Sequence, residues 1–134
     1  MMYVNRISLD DQDAHGEREF GPEGIDEALV VELVKALDGV RHTLLSLSPG
    51  SEAHLAIGGG ANGAYIVYMT VDNEDFYNLM AANPSPGRFV EITAGQFGEY
   101  PTATAVTLAE AVEAAVCYAT SGTKSERLIW EHQA

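Results

Sequence analysis

In IGGGANGAYIVYMTV, residues 57–71, Gly58, Gly60 and Gly63 stand at the G-x-G-x-x-G spacing of a dinucleotide-binding loop. That fingerprint requires a strand before the glycines, a helix after them whose N-terminus faces the pyrophosphate, and an acidic residue about 20 positions further on. The residues that follow here are not helical. Ala64 to Val71 is rich in β-branched and aromatic side chains and carries no helix cap, which marks it as a strand. With a strand on each side, Gly59-Gly60 and Asn62-Gly63 read as the turn of a β-hairpin, because Gly and Asn adopt the positive φ such turns need. Gly58, Gly60 and Gly63 are therefore assigned to backbone geometry rather than to a phosphate. No Lys-Ser or Lys-Thr pair follows them, which also removes a P-loop.

Working outward, AHLAI (53–57) and RHTLLSLS (41–48) form two more strands, with Pro49-Gly50 as the turn between them. On AYIVYMTV both alternating faces are largely apolar: Ala64, Ile66 and Tyr68 on one, Tyr65, Val67, Met69 and Val71 on the other. Such a strand sits at the centre of a sheet, or has helices on one face and a partner on the other. Met2 to Leu9 reads as a short first strand, and the acidic run that follows as a solvated loop. From Pro22 the period changes, with Ile25, Ala28, Leu29, Leu33, Ala36 and Leu37 at helical spacing and Asp38-Gly39 as the stop.

DNEDFYNLMAANPSPGR (72–88) is mixed and has room for one helical turn, RFVEIT (88–93) re-enters the sheet, and AGQFGEYPTATAV (94–106) is an irregular edge strand. Thr107 and Glu110 then form a T-x-x-E capping box. Behind it Leu108, Ala111, Val112, Ala115, Val116 and Ala119 make the stripe of a second helix that stops at Gly122. RLIW (127–130) is the last strand, with Trp130 anchoring the core against that helix. The elements predict one α+β domain over residues 1–134, a mainly antiparallel sheet of about five to seven strands packed with two main helices.

Twenty acidic residues against seven Lys and Arg give a formal net charge of −13. Such a chain repels nucleic acid, whose binding depends on basic side chains displacing counterions. The same field attracts a basic protein and speeds its docking. One cysteine, Cys117, rules out an internal disulfide framework and suits a reducing cytoplasm. Neither a membrane span nor a secretory signal is expected, since no long apolar run exists and Met1 to Asp13 has no basic start or apolar core.

Catalytic patterns are weak. His15 and Glu17 form an H-x-E pair, but the P-C-x-x-C half of a zinc deaminase is missing. His42 and His54 lack a third ligand at a recognisable spacing. Cys117 lies beside the apolar stripe of a helix, the place of a small hydrophobe, and no G-x-S-x-G elbow accompanies the serines. No catalytic set, cofactor or metal is expected.

The Gly-rich hairpin leading into GGGANGAYIVYM, the later GQFGEYP, the capped TLAEAVEAAVCYATSG and the closing RLIWE together resemble, in their order, the deaminase-toxin-associated immunity proteins of bacterial polymorphic toxin systems (immunity protein family 1). The resemblance implies a small α+β protein that binds the catalytic domain of a cognate interbacterial toxin, many of which are nucleic-acid or nucleotide deaminases, and blocks it without chemistry of its own. The carboxylates of Asp10, Asp11, Asp13, Glu17 and Glu19, and of Asp72, Glu74 and Asp75, are candidates for the partner surface, with Phe76, Tyr77 and Tyr100 as aromatic anchors. Two other readings stay open: a small-molecule module or enzyme with a pocket between sheet and helices, and a homo-oligomerising domain joined through the two-faced strand.

Overall fold

The computed structural model describes residues 2–133. Its centre is the hairpin of the Gly-rich stretch, in which β4 (His54–Gly59) and β5 (Tyr65–Thr70) pair antiparallel through a short 3-10 turn, Ala61–Gly63. Gly60 takes a left-handed φ of 110°, and a Cβ there would run into the Leu37 carbonyl. Around this pair lie β1 (Arg6–Asp11), β2 (Gly16–Phe20), β3 (Leu44–Ser48), β6 (Phe76–Met80) and β9 (Ile129–Gln133). They form a seven-stranded antiparallel sheet in the order β2-β1-β3-β4-β5-β6-β9.

Two helices, α1 (Glu27–Ala36) and α2 (Leu108–Ser121), cover one face of that sheet. The Thr107–Glu110 capping box starts α2: the Glu110 amide donates to Thr107 Oγ1 at 3.2 Å and the Thr107 amide to Glu110 Oε1 at 2.9 Å. Gly122 ends it with a φ of 73°. Between helices and sheet lie Ile7, Leu9, Val30, Val34, Leu45, Leu47, Leu55, Ile57, Leu79 and Tyr118, all buried in one cluster. The interface between sheet and helices is thus filled with side chains.

Four expectations change. The acidic run Asp10–Glu19 is no loop, since Asp10 and Asp11 end β1 and Glu17 and Glu19 lie on β2. β2 is an edge strand with no buried residue, so it has no apolar alternation to reveal it. Helix α1 starts later than Pro22: Pro22–Gly24 is a separate 3-10 turn, and Asp26 caps α1 by accepting from the Leu29 amide at 2.8 Å. Phe76–Met80 is a strand and not a helical turn, held between β5 and β9. Finally, β7 (Phe89–Ala94) and β8 (Gln96–Pro101) pair only with each other, as a ribbon outside the main sheet.

Trp130 is half-buried rather than sunk in the core. It sits opposite Leu79 on the edge strand β9, packs on the core margin, and donates its indole N–H to the Ser125 carbonyl at 3.2 Å.

Candidate functional site

Because side chains alternate along a strand, the pairing registers decide what each sheet face carries. Ile7, Leu9, Leu45, Leu47, Leu55, Ile57, Val67, Met69 and Leu79 face the helices. The opposite face has no helix over it. Across the strands it presents Glu17 and Glu19, then Arg6, Ser8 and Asp10, Leu44, Ser46 and Ser48, His54, Ala56 and Gly58, Ile66, Tyr68 and Thr70, Phe76, Asn78 and Met80, and lastly Ile129, Glu131 and Gln133.

An aromatic row crosses the middle of this open face. The His54 and Tyr68 rings meet edge-on with centroids 5.7 Å apart, and Tyr68 and Phe76 follow at 5.8 Å. Beside the row runs a groove of about 460 Å³ lined by Ile66, Tyr68, Asn78, Tyr100, Glu131 and Gln133. Tyr100 comes from β8, so the ribbon forms one wall. Burial, with a smaller push from Tyr100, holds the Tyr68 hydroxyl above its ordinary range. The row therefore offers aromatic surface with phenol and amide groups along it, flanked by Glu17 and Glu19 at one sheet edge and Glu131 at the other.

The ribbon reaches this position because β4 makes room for it. A Cβ on Gly58 would overlap the Cβ of Ala94, so only glycine allows β7 to approach this closely. A polar link fastens the ribbon's turn. The Gly95 amide donates to Thr43 Oγ1 at 2.8 Å, and Thr43 Oγ1 donates to Asp10 Oδ2 at 2.5 Å. Asp10 also accepts from the Thr43 and Leu44 amides at 2.6 and 2.9 Å and from Gln12 Nε2 at 2.8 Å. Burial pushes the Asp10 carboxyl up, but these donors together outweigh it and hold the group below its ordinary value.

The family model described as Immunity protein Imm1 matches residues 14–132. The chain belongs to the Imm1 immunity protein family. No curated protein matches it. The partner of an Imm1 protein is a cognate toxin, so the surface that matters is one for docking protein.

The structure distributes the sequence-selected residues unevenly. Glu17, Glu19, Phe76 and Tyr100 lie on or beside the open face, the two glutamates exposed and the two aromatic rings half-buried. Asp10 is on that face but is occupied by Thr43, Leu44 and Gln12. Asp11 points to the other side, buried, where its carboxylate accepts from Arg41 Nε at 3.2 Å and Nη2 at 3.0 Å. That contact is the main reason its pKa lies below the ordinary carboxylate range. Asp13 lies in the β1–β2 turn, 3.8 Å from Arg41. These three aspartates also precede the span matched to Imm1.

Asp72 closes the β5–β6 turn by accepting from the Glu74 and Asp75 amides, both at 2.9 Å, and Asp75 meets His132 Nε2 at 3.1 Å. Tyr77 faces the helix side, stacked near His132 at 4.8 Å with Lys124 Nζ 4.0 Å above its ring. Sequence reasoning did not single out His54, Tyr68, Asn78 and Glu131, which strand pairing brings to the same sheet face. The apolar second face of AYIVYMTV was the available signal for Tyr68; the others join it only through pairing with distant strands. Among the described residues no three His, Cys, Asp or Glu side chains gather as metal ligands, and no helix is long and apolar enough to cross a membrane.

Proposed function

We propose that this Imm1 protein inhibits its toxin by laying the open sheet face over the active site or substrate groove of the toxin's catalytic domain, and that the toxin is a deaminase of nucleic acid or nucleotides. The observation that carries the reading is the half-exposed aromatic row His54–Tyr68–Phe76, with no helix over it, on a sheet whose edges bring Glu17, Glu19 and Glu131 to the same face. A nucleic-acid-handling domain presents a basic groove. Carboxylates on this face stand where substrate phosphates would lie, while the aromatic row supplies the desolvated centre from which tight complexes draw most of their energy. The deaminase assignment rests on the likeness of residues 57–131 to deaminase-associated immunity proteins. The site of action is the cytoplasm of the producing cell, in keeping with one half-buried thiol. Blocking is steric and electrostatic, and the chain itself breaks no bond.

The test is a titration of the toxin's catalytic domain, acting on its nucleic-acid or nucleotide substrate, with increasing amounts of this protein. Turnover is expected to fall in proportion to added protein and to stop at stoichiometric addition, and the product formed without it is expected to be a deaminated base. Turnover that persists in excess inhibitor contradicts the blocking mechanism. Strand cleavage without base conversion contradicts the deaminase assignment alone.

The groove beside Tyr100 supports a second reading, a small-molecule module, although it lies between sheet and ribbon rather than between sheet and helices. A nucleotide or metabolite that raises Tm and is displaced by Tyr68→Ala would favour it.

A further inference from the structure

The β7–β8 ribbon has two faces of opposite character. Its inner face buries Ile92 against Gly59 and sets Ala94 against Gly58. Its outer face carries three cross-strand pairs: Phe89 opposite Pro101, Glu91 opposite Glu99, and Thr93 opposite Phe97. Phe89 is 56% exposed and Phe97 66%, among the most exposed large apolar side chains of the described residues. Neither ring packs into the core, so their presence adds little to folding.

Between them lies an arrangement that costs stability. Glu91 and Glu99 are directly opposite each other, and like charges in that register repel. Among the described residues neither carboxylate takes part in an ion pair. Arg88, the residue just before β7, has its guanidinium 5.6 Å from the Phe89 centroid, so the ring lies within cation–π range of a guanidinium.

From this pattern we infer that the outer face of the β7–β8 ribbon is a second docking surface, whose occupant is an arginine-bearing segment of the toxin's catalytic domain. A guanidinium, with five donors, can pair with one of the two facing carboxylates bidentately and neutralise charge on the other, while the flanking Phe89 and Phe97 supply apolar walls beside it. Binding a cation there also relieves the Glu91–Glu99 repulsion. The ribbon is therefore a place where free energy withheld from folding is recovered on association. The inference rests on the toxin-blocking reading and adds to it a named element outside the main sheet.

The experiment measures association and dissociation of the toxin's catalytic domain with the full chain, alongside inhibition and thermal unfolding. Phe89→Ala/Phe97→Ala is expected to weaken Kd about 30-fold or more, mainly through faster dissociation, with Tm unchanged. Glu91→Gln/Glu99→Gln is expected to raise Tm, by removing the repulsion, while lowering the on-rate and its salt dependence. Wild-type Kd in both double variants, with the unmodified protein still inhibiting, overturns the ribbon assignment and leaves the blocking reading intact. A large fall in Tm for the phenylalanine variant overturns it too, because those rings would then serve the fold. Failure of the unmodified protein to bind or inhibit the domain overturns the parent reading, and the ribbon assignment with it.

Discussion

On their helix-covered face, β1, β3, β4 and β5 present Ile7, Leu9, Leu45, Leu47, Leu55, Ile57, Val67 and Met69, each at most 3% exposed. On the opposite face the same strands present Ser8, Ser46, Ser48, His54, Ala56, Ile66 and Tyr68. Burial of apolar area dominates folding, so the first face holds most of the stability. The second face is polar, aromatic and only partly covered by the ribbon. If the toxin docks on the open face, as proposed, a sheet built this way separates its tasks, because substitutions there tune recognition while the core stays intact.

The largest departure is expected from the covered face. Leu47→Ala removes a fully buried side chain and is expected to lower stability by about 2–5 kcal/mol in urea unfolding, depending on how far the site collapses. Tyr68→Ala, at the same depth in the sheet but on the open side, is expected to cost clearly less stability while impairing toxin binding. Equal stability losses for the two would break the separation. Trp130→Ala lies between these cases: the ring is half-buried at the margin, and a loss of about 2 kcal/mol is expected.

Smaller effects sharpen the picture. Thr107→Ala removes the side-chain half of the α2 capping box and is expected to lower stability by about 0.5–2 kcal/mol, with toxin binding unchanged. Asp10 is expected to show a pH signature. Its folded pKa lies below the ordinary 3.8, so its contribution to stability is complete above that value and is lost as pH falls through the lower, folded value. In urea midpoints measured against pH, the wild type is expected to lose more stability over that acid range than Asp10→Asn. Parallel profiles would mean that the Asp10 carboxylate's bonds to Thr43, Leu44 and Gln12 contribute nothing to stability.

What could be read in the sequence follows from how local its cause is. The capping box, the apolar stripe of α2 and the Gly-Asn turn are short-range devices, and Thr107, Glu110, Gly122 and Gly60 stand where such devices require them. Strand β2 was hidden because nothing covers it, and β6 because its partner β9 lies far along the chain. The ribbon's departure from the sheet depends on the absence of a side chain at Gly58, which a local pattern does not display. Charge alone does not tell which carboxylates the fold already engages, for a related reason. Asp10 and Asp11 look like binding groups in a string of acids, yet one is saturated by Thr43, Leu44 and Gln12 and the other by Arg41. Whether a carboxylate is free is a property of residues about thirty positions away, a separation no local signal spans.

The two sides of the molecule can be set against each other in one binding measurement. The outer surface of the helices offers a rival apolar groove lined by Val31, Leu108, Val112 and Val116, so the choice is not forced by apolarity alone. Surface-binding kinetics of the toxin's catalytic domain would compare wild type with Tyr68→Ala/Phe76→Ala on the open face and Val31→Ser/Val112→Ser on the helix face, each variant first checked for an intact fold. The open-face pair is expected to weaken binding by about 30-fold or more, chiefly through dissociation, while the helix-face pair retains wild-type affinity. Wild-type affinity in the open-face pair together with lost binding in the helix-face pair would contradict the placement of the toxin on the open sheet.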